Sequence, residues 1–274
     1  MASVPEAAPA CEDHSVRIHH LNCATMRPPL APPMVAHVLL LERPDGLVLV
    51  DTGLGTTDVE KRHRRLGRGF MAAVRPVLDN RETAIEQVRA LGLDPADVTD
   101  VLVTHLDLDH AGGLGDFPDA RVHVHATEYD AAMKPSLQEK ARYVQDQWAH
   151  RPRWEQHREE GEEWFGFAAV KALADDVLLV PLHGHTRGHS GIAVRADDGR
   201  WLLHAGDAFF SGGQVDDPPT CPSSLAAFQR LMAVDNGARK DNLERLQELA
   251  RGHGDEVTVF CAHDKEQYEA LRAR

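Results

Sequence analysis

The sequence lacks the features that mark several classes of protein. No apolar run approaches the roughly 18 residues that a membrane span needs, so we expect no membrane insertion. The segment from Met1 to His14 has neither a basic region nor an apolar core, so no signal peptide is predicted. This segment is rich in alanine, proline and glutamate. We therefore predict a flexible N-terminus at 1–14 and a single domain at 15–274.

Cysteine and clustered positive charge are also scarce. The four cysteines form no CxxC pair and no regular framework, which predicts reduced thiols and a cytoplasmic location. The formal net charge is −13, and no lysine and arginine cluster with interleaved aromatic residues offsets it. Because this charge repels nucleic acid and anionic membranes, we expect neither as a partner. The expected partner is a small-molecule substrate, and a homodimer is left open.

Predicted strands alternate with predicted helices along the chain. The apolar segments Met34–Leu41 and Leu47–Val50 flank a Pro-Asp-Gly turn, which predicts a β-hairpin. Further strands are predicted at 15–21, 100–104, 121–125, 177–181, 192–195, 201–204 and 256–260, and helices at 82–91, 224–250 and the C-terminus. Each half of the chain has strands followed by helices, which predicts an α/β fold with two sheets face to face and helices outside. A polar, helix-prone region at about 128–174 is predicted to cover the cleft.

One short run concentrates metal-ligating side chains. It is Thr104-His-Leu-Asp-Leu-Asp-His110, which places two imidazoles and two carboxylates in six residues after a predicted buried strand. Three later strands are followed by the run His183-Gly-His-Thr-Arg-Gly-His189, by Asp207 and by His263. If the carboxyl ends of these strands meet at one rim, the four segments form a single site. The strongest ligand candidates are His105, Asp109, His110, His189, Asp207 and His263. We interpret His183, His185 and His204 as groups that orient these ligands.

The order of these residues resembles the metallo-β-lactamase-fold hydrolases. Their first motif is HxHxDH, and a single His, a bridging Asp and a final His follow it in this order. The resemblance covers nearly the whole chain and extends to Asp51-Thr-Gly53 at the end of the hairpin. The segment Thr83–Val101 is most similar to the branch that contains N-acyl homoserine lactonases. The resemblance implies a four-layer αββα sandwich with mixed sheets.

The resemblance also implies a cofactor and a mechanism. Two divalent ions are expected, with zinc preferred and iron or manganese compatible with the donors. The implied ligands are His105, Asp107 and His189 for one ion, Asp109, His110 and His263 for the other, and Asp207 between them. Two close ions make hydroxide available at neutral pH, and this metal-bound hydroxide would cleave an ester or lactone of a small molecule. Asp109 is the expected catalytic residue, because it can accept the proton of the nucleophile and deliver it to the leaving group.

Two positions depart from the family pattern. Asp107 stands where the first motif has its second histidine, and it is shorter, negatively charged and a hard oxygen donor. Phe210 stands where the lactonase branch commonly has a tyrosine, and its ring donates no hydrogen bond to a substrate carbonyl. Hydrolysis of a β-lactam, a thioester or a phosphodiester at the same site therefore stays open. A non-catalytic metal-binding or sensor protein stays open as well.

Overall fold

Two β-sheets form the centre of the molecule, and the computed structural model describes residues 16–137, 139–158 and 163–273. The first sheet has six strands, β1 to β6, which lie side by side in sequence order. They are Arg17–Met26, Met34–Arg43, Gly46–Val50, Val98–Leu102, Arg121–His125 and Arg153–His157. Strands β1 to β3 pair antiparallel, whereas β3 to β6 pair in parallel, so the sheet is mixed.

The second half of the chain forms a hairpin and the second sheet. Strands β7 and β8, Glu163–Trp164 and Phe167–Ala168, pair only with each other. The second sheet has the strand order β13-β12-β11-β10-β9. Strands β9 to β13 are Val170–Ala174, Val177–Pro181, Ser190–Arg195, Trp201–His204 and Val257–Phe260. Its pairs are antiparallel except for β12 and β13, which are parallel.

The helices lie between the strands in sequence, and most are short. Helices α1 to α5 are Thr56–Glu60, Arg62–Arg65, Gly67–Val74, Ala84–Ala90 and Leu108–Ala111. Helices α6 to α9 are Ala126–Met133, Ser223–Met232, Asn236–Gly252 and Lys265–Arg272. Single turns of 3₁₀ helix occur at Asn80–Glu82, Pro95–Asp97, Gly112–Asp116, Glu139–Ala141, Gln145–Trp148 and Gly212–Val215.

Alternation of side chains along β2 builds the layers of the first half. Leu39 and Leu41 belong to an apolar cluster that includes Leu179 of the second sheet. Leu40, between them, belongs to a different cluster that includes Val88 of helix α4. Because successive side chains of a strand point to opposite faces, the first sheet packs on the second sheet with one face and on helices with the other.

The second sheet is covered in the same way. Leu178 and Leu203 point away from the first sheet and form a cluster with Leu246 and Leu249 of helix α8. The layers therefore run helix, sheet, sheet, helix, and the predicted four-layer αββα sandwich is confirmed.

The prediction of helix throughout 128–174 is wrong in its second half. Helix α6 ends at Met133, and the segment from residue 153 onward forms strands β6 to β9. β6 pairs in parallel with β5, with Trp154 opposite Val122, and lies at the edge of the sheet. Its polar side chains are mostly exposed, so its composition resembles that of a solvated helix. Pairing with a neighbouring strand overrides this local preference.

The turn after β3 brings two distant segments into close contact. The backbone of Gly53 has φ of +63°, and a Cβ there would lie 2.3 Å from Cβ of Cys23. Only glycine combines this backbone conformation with so close an approach. The amide of Asp51 donates to the carbonyl of Leu102 at 2.9 Å, so the turn is fixed beside the end of β4.

Several predictions concern the chain as a whole. The predicted flexible N-terminus at 1–14 lies outside the described residues. Within the described ranges, no helix combines the length and apolar character needed to cross a membrane. Cys23, Cys221 and Cys261 are free thiols, as predicted. The single domain at 15–274, the homodimer and the cytoplasmic location stay predictions.

Candidate metal centre

Four loops meet at one rim of the sandwich, and they carry the predicted ligands. One follows β4 and leads into α5, a second joins β10 to β11, and the other two follow β12 and β13. Backbone hydrogen bonds connect them, one between the two sheets and one within the second sheet. The amide of Ser190 donates to the carbonyl of Thr104 at 2.9 Å, and the amide of Ala262 donates to the carbonyl of Gly206 at 3.0 Å. The predicted convergence of these strand ends is confirmed.

A first group of ligand atoms comes from His105, Asp107, His185 and Asp207, each buried and within 4.8 Å of the others. The His185 Nε2 atom lies 3.0 Å from Asp107 Oδ2 and 3.3 Å from Asp207 Oδ2. The His105 Nε2 atom lies 3.4 Å from the same Asp107 oxygen. Two imidazole nitrogens thus face two carboxylates across a small space.

A second group contains Asp109, His110 and His263, and Asp207 lies between the two groups. Asp207 Oδ1 is 3.3 Å from His110 Nε2 and 3.1 Å from His263 Nε2. The His263 Nε2 atom is also 3.7 Å from Asp109 Oδ2. Because its other oxygen faces the first group, Asp207 has the position of a bridging carboxylate.

The structure does not bring His189 into the first group of converging atoms, although its ring is buried 5.1 Å from that of His105. Its Nδ1 atom donates to the carbonyl of Leu182 at 2.9 Å, and its Nε2 atom accepts from the amide of Asp207 at 2.8 Å. Both ring nitrogens are therefore hydrogen-bonded within the protein. The predicted role of His189 as a ligand stays a prediction.

Three of the four histidines in the two groups, all except His185, are held by their second ring nitrogen. His110 Nδ1 donates to the carboxylate of Asp51 at 2.8 Å, and His263 Nδ1 donates to the carbonyl of Val35 at 2.8 Å. His105 Nδ1 lies 3.0 Å from the hydroxyl of Thr104. In each case Nε2 is left facing the centre, which is the arrangement that histidines bound to a metal adopt.

The donor set fits divalent cations. Four buried atoms at the centre make no hydrogen bond within the described part of the chain: His105 Nε2, His110 Nε2, Asp107 Oδ1 and Asp207 Oδ1. Buried polar atoms without a hydrogen bond are costly, and cations bound at the two groups would satisfy these four. Burial opposes ionisation of Asp207, but His263 and His110 outweigh it and hold the pKa of this carboxyl well below its usual value. Burial lowers the pKa of His185 to about 4, so its imidazole is neutral at pH 7, the form that binds metals.

Glu128 of helix α6 connects two of the ligand loops. Its buried carboxylate accepts from the amide of Leu106 at 2.9 Å and from the amide of Gly188 at 3.1 Å. It also accepts from the hydroxyls of Tyr143 at 3.0 Å and Thr186 at 2.6 Å. One side chain thus fixes the loop after β4 against the loop after β10.

A cavity of about 820 Å³ opens onto the two groups of ligand atoms. Most of its wall is apolar and comes from Met26, Met34, Phe70, Ala73, Val74, Leu108, Phe210, Phe228, Leu231, Met232 and Val234. Asp107, Asp109, His185, Asp207 and His263 lie at its polar end. A largely apolar wall with a few convergent polar groups is the usual composition of a small-molecule site.

Two arginines line this cavity, and both are paired with carboxylates. Arg187 forms a bidentate pair with Glu139 at 2.8 and 2.9 Å. Arg142 Nε lies 3.3 Å from Asp107 Oδ1. The two positive charges on the largely apolar cavity wall are therefore already neutralised by carboxylates.

The sequence alone did not reveal two of these side chains as parts of the centre. His185 was interpreted as an orienting group, yet its Nε2 is one of the converging atoms. Arg142 carries no motif, and it reaches the centre from the segment after α6. Cys261, two residues before His263, packs in the apolar cluster under helix α8, and burial raises the pKa of its thiol.

The chain is similar to known hydrolases over most of its length. Residues 31–263 match the sequence profile of the Metallo-beta-lactamase superfamily. The chain is 42% identical to a probable metallo-hydrolase of Mycobacterium tuberculosis, over 97% of this chain and 86% of that protein. It is 26% identical to the N-acyl homoserine lactonase AttM of Rhizobium radiobacter, over 94% of this chain and 90% of that protein.

Solved structures have the same fold. A crystal structure of a quorum-quenching N-acyl homoserine lactone lactonase matches with a TM-score of 0.69 at 21% identity, over 94% of this chain and 97% of that one. The hydrolase AbOPH of the beta lactamase superfamily matches with a TM-score of 0.61 at 19% identity, over 93% of this chain and 89% of that one. Identities this low show a shared fold alone. The profile match and the four-layer fold with its rim of histidines and aspartates lead to one conclusion: the chain belongs to the metallo-β-lactamase superfamily.

Proposed function

We propose that the protein is a metal-dependent hydrolase that cleaves an ester or lactone bond in a small, largely apolar molecule. The observation that carries this proposal is the position of Asp207, which lies between two groups of ligand atoms at the polar end of an apolar cavity. The lactonase named among the relatives acts on a molecule of the proposed kind.

Two divalent ions would be held by the rim, with zinc preferred by the donor set and iron or manganese also accepted. The proposed ligands follow the two groups of converging atoms: His105, Asp107 and His185 for one ion, Asp109, His110 and His263 for the other, and Asp207 shared. The sequence had implied His189 in the place that His185 takes here. When bound, such ions supply a nucleophile at neutral pH and polarise a carbonyl oxygen.

The proposed proton carrier is Asp109. Its carboxylate lines the cavity and is buried beside His263, so it can meet both the reacting bond and the second group of ligands. A carboxylate there accepts a proton as the nucleophile attacks and returns it to the leaving alkoxide. Phe210 lines the same cavity and contributes apolar surface, not a hydrogen bond to the substrate.

The charge of the cavity favours a neutral ester over an anionic substrate. Among the described residues of its wall, Arg142 and Arg187 already contact carboxylates, so neither is left to pair with a phosphate. This supports the ester or lactone over a phosphodiester or a thioester with a charged carrier. We also propose a cytoplasmic location, which the free thiols support.

The proposal is tested by metal analysis and a substrate panel. We expect about two ions per chain, and hydrolysis of lactones and esters that chelation abolishes and added metal restores. Asp109→Asn also removes the charge of a proposed ligand, so it is assayed with excess metal, where kcat should still be about 10²–10⁴-fold lower. Asp255→Asn, at an exposed position, should have no effect. Activity that survives chelation would refute the mechanism. Activity confined to β-lactams, thioesters or phosphodiesters would replace the substrate class, and bound metal without hydrolysis would indicate a sensor.

A further inference from the structure

The polar end of the cavity contains a buried cation. Three described residues of the cavity wall carry hydroxyl or guanidinium donors: Ser136, Arg142 and Arg187. The side chain of Arg187 is 43% exposed, and both oxygens of Glu139 accept from it. The side chain of Arg142 is 9% exposed, and its Nε lies 3.3 Å from Asp107 Oδ1. Arg142 is therefore the cationic donor beside the candidate ligands, whereas Arg187 lies toward solvent.

Three contacts hold the guanidinium of Arg142 in place. Besides the contact with Asp107, its Nη1 donates to the carbonyl of His185 at 3.0 Å, and its Nη2 donates to the carbonyl of Met232 at the end of helix α7. A guanidinium has five N–H groups. Two of them, one on each terminal nitrogen, thus have no acceptor in the described part of the chain. A donor that is already fixed needs no rearrangement when charge develops beside it.

The two groups of ligand atoms give a bound ester a direction. The proposed proton carrier Asp109 belongs to the second group, so the leaving oxygen lies on that side of Asp207. The carbonyl oxygen of the same ester then points toward the first group, where Asp107 and Arg142 lie. This oxygen gains negative charge when a nucleophile adds to the carbonyl carbon. The carboxylate of Asp107 alone would oppose that charge, and Arg142 offsets it.

We propose that Arg142 is a catalytic residue that donates one of its unused N–H groups to the carbonyl oxygen of the ester or lactone. Water gives a proton to Asp109 and adds to the carbonyl carbon as hydroxide, and the π electrons of the carbonyl move to the oxygen that Arg142 contacts. The carbonyl re-forms as the bond to the leaving oxygen breaks, and that oxygen takes the proton from Asp109. Arg142 keeps its protons throughout, because a guanidinium stays charged in proteins. This inference rests on the proposed function and adds a donor for the oxyanion.

The ion pair with Asp107 limits what Arg142 binds. The pair has little net charge, so it does not attract a full anion such as a phosphate. Its unused N–H groups still donate to an oxygen whose charge is partial and transient. This combination suits the carbonyl oxygen of a neutral ester.

Two substrates that differ in one atom test the donor. A lactone is compared with its thionolactone, in which sulfur replaces the carbonyl oxygen, because sulfur is a weak hydrogen-bond acceptor. In Arg142→Met, kcat/KM for the lactone should fall about 10²–10³-fold, the usual effect of losing an oxyanion donor, and kcat/KM for the thionolactone should fall less than about 10-fold. The preference for the lactone should therefore shrink at least about 10-fold. Lys140→Met removes an exposed cation outside the cavity on the same segment and should keep both values.

Metal loss and unfolding do not mimic this result. Arg142 contacts a proposed ligand, so every variant is assayed with excess metal, and the preference is a ratio that does not depend on the amount of active protein. Arg142→Lys retains a cationic donor and should have a preference between those of the wild type and Arg142→Met. Equal losses on the two substrates in Arg142→Met would show a merely structural role and overturn the inference. A wild type that hydrolyses no lactone or ester would instead overturn the proposed function.

Discussion

Removal of the Glu128 carboxylate should destabilise the protein strongly. In Glu128→Ala the amides of Leu106 and Gly188 and the hydroxyls of Tyr143 and Thr186 lose their acceptor. A hydrogen bond to a charged group contributes about 1.5–3 kcal/mol, but the four share one carboxylate and do not add. We therefore expect a loss of about 3–5 kcal/mol in the free energy of unfolding, which is the range for breaking a buried network.

Two further variants make this prediction specific. Glu128→Gln keeps one carbonyl oxygen as an acceptor and should lose about half as much. Asp130→Ala changes an exposed carboxylate on the same helix and should change stability by less than about 0.5 kcal/mol. Urea unfolding of the chelated protein measures the free energies, and the melting temperature of Glu128→Ala should fall by about 10 °C. A loss below about 1 kcal/mol in Glu128→Ala would show that this carboxylate does not hold the two loops together.

Three further predictions concern a turn, a histidine partner and an acid-sensitive pair. Gly53→Ala and Gly67→Ala both place a side chain at a positive φ, which lowers the free energy of unfolding by about 1–2 kcal/mol. Only the new Cβ at residue 53 meets nearby atoms, so urea unfolding should show Gly53→Ala to be about 2 kcal/mol less stable than Gly67→Ala; equal losses would contradict this. Asp51→Asn should weaken metal binding about 10–100-fold in a chelator competition, because the carboxylate orients a ligand histidine; unchanged affinity would contradict it. Burial opposes ionisation of Asp100, but the hydrogen bond from Arg121 helps to hold its pKa below the usual 3.8 in the folded protein. The stability that Asp100 contributes is thus present above its pKa in the unfolded chain and is lost as pH falls through its pKa in the folded protein. The difference in free energy of unfolding between wild type and Asp100→Asn should therefore vanish below pH of about 4; a difference that grows in acid would contradict this pH dependence.

Local sequence patterns predicted several strands correctly. The strands at Arg121–His125, Val177–Pro181 and Trp201–His204 lie where the sequence predicted them. The turn that joins β2 to β3 lies at the Asp-Gly pair before Leu47, as the turn residues indicated. These elements are defined by alternation or by short apolar runs between turn residues, which are properties of neighbouring residues.

Contacts between distant segments determine what the sequence did not reveal. The helix predicted at 224–250 is two helices, α7 and α8, broken at Val234 and Asp235. There the amide of Val234 donates to the carbonyl of His185 at 3.1 Å, and the amide of Asp235 donates to the carbonyl of Gly184 at 2.9 Å. The loop that carries a candidate ligand thus satisfies amides that a continuous helix would bond internally. A one-dimensional pattern does not contain this contact.

The candidate centre was predicted in part for the same reason. His105, Asp109 and His110 lie in one short motif, so their spacing identified them. The contact between Arg142 and the backbone of His185 joins residues 43 positions apart. No periodicity relates two such segments, and only the folded chain shows that they meet.

The rim contains side chains from loops of both sheets, with Asp109 and His110 from one half and Asp207 and His263 from the other. Ions bound there would join the halves as a removable cross-link, so neither half could open without releasing them. Amide hydrogens of the two sheets should then exchange as one cooperative unit in the metal-loaded protein and as two separate units after chelation. Metal supply would in this way set how independently the two halves of the chain fluctuate.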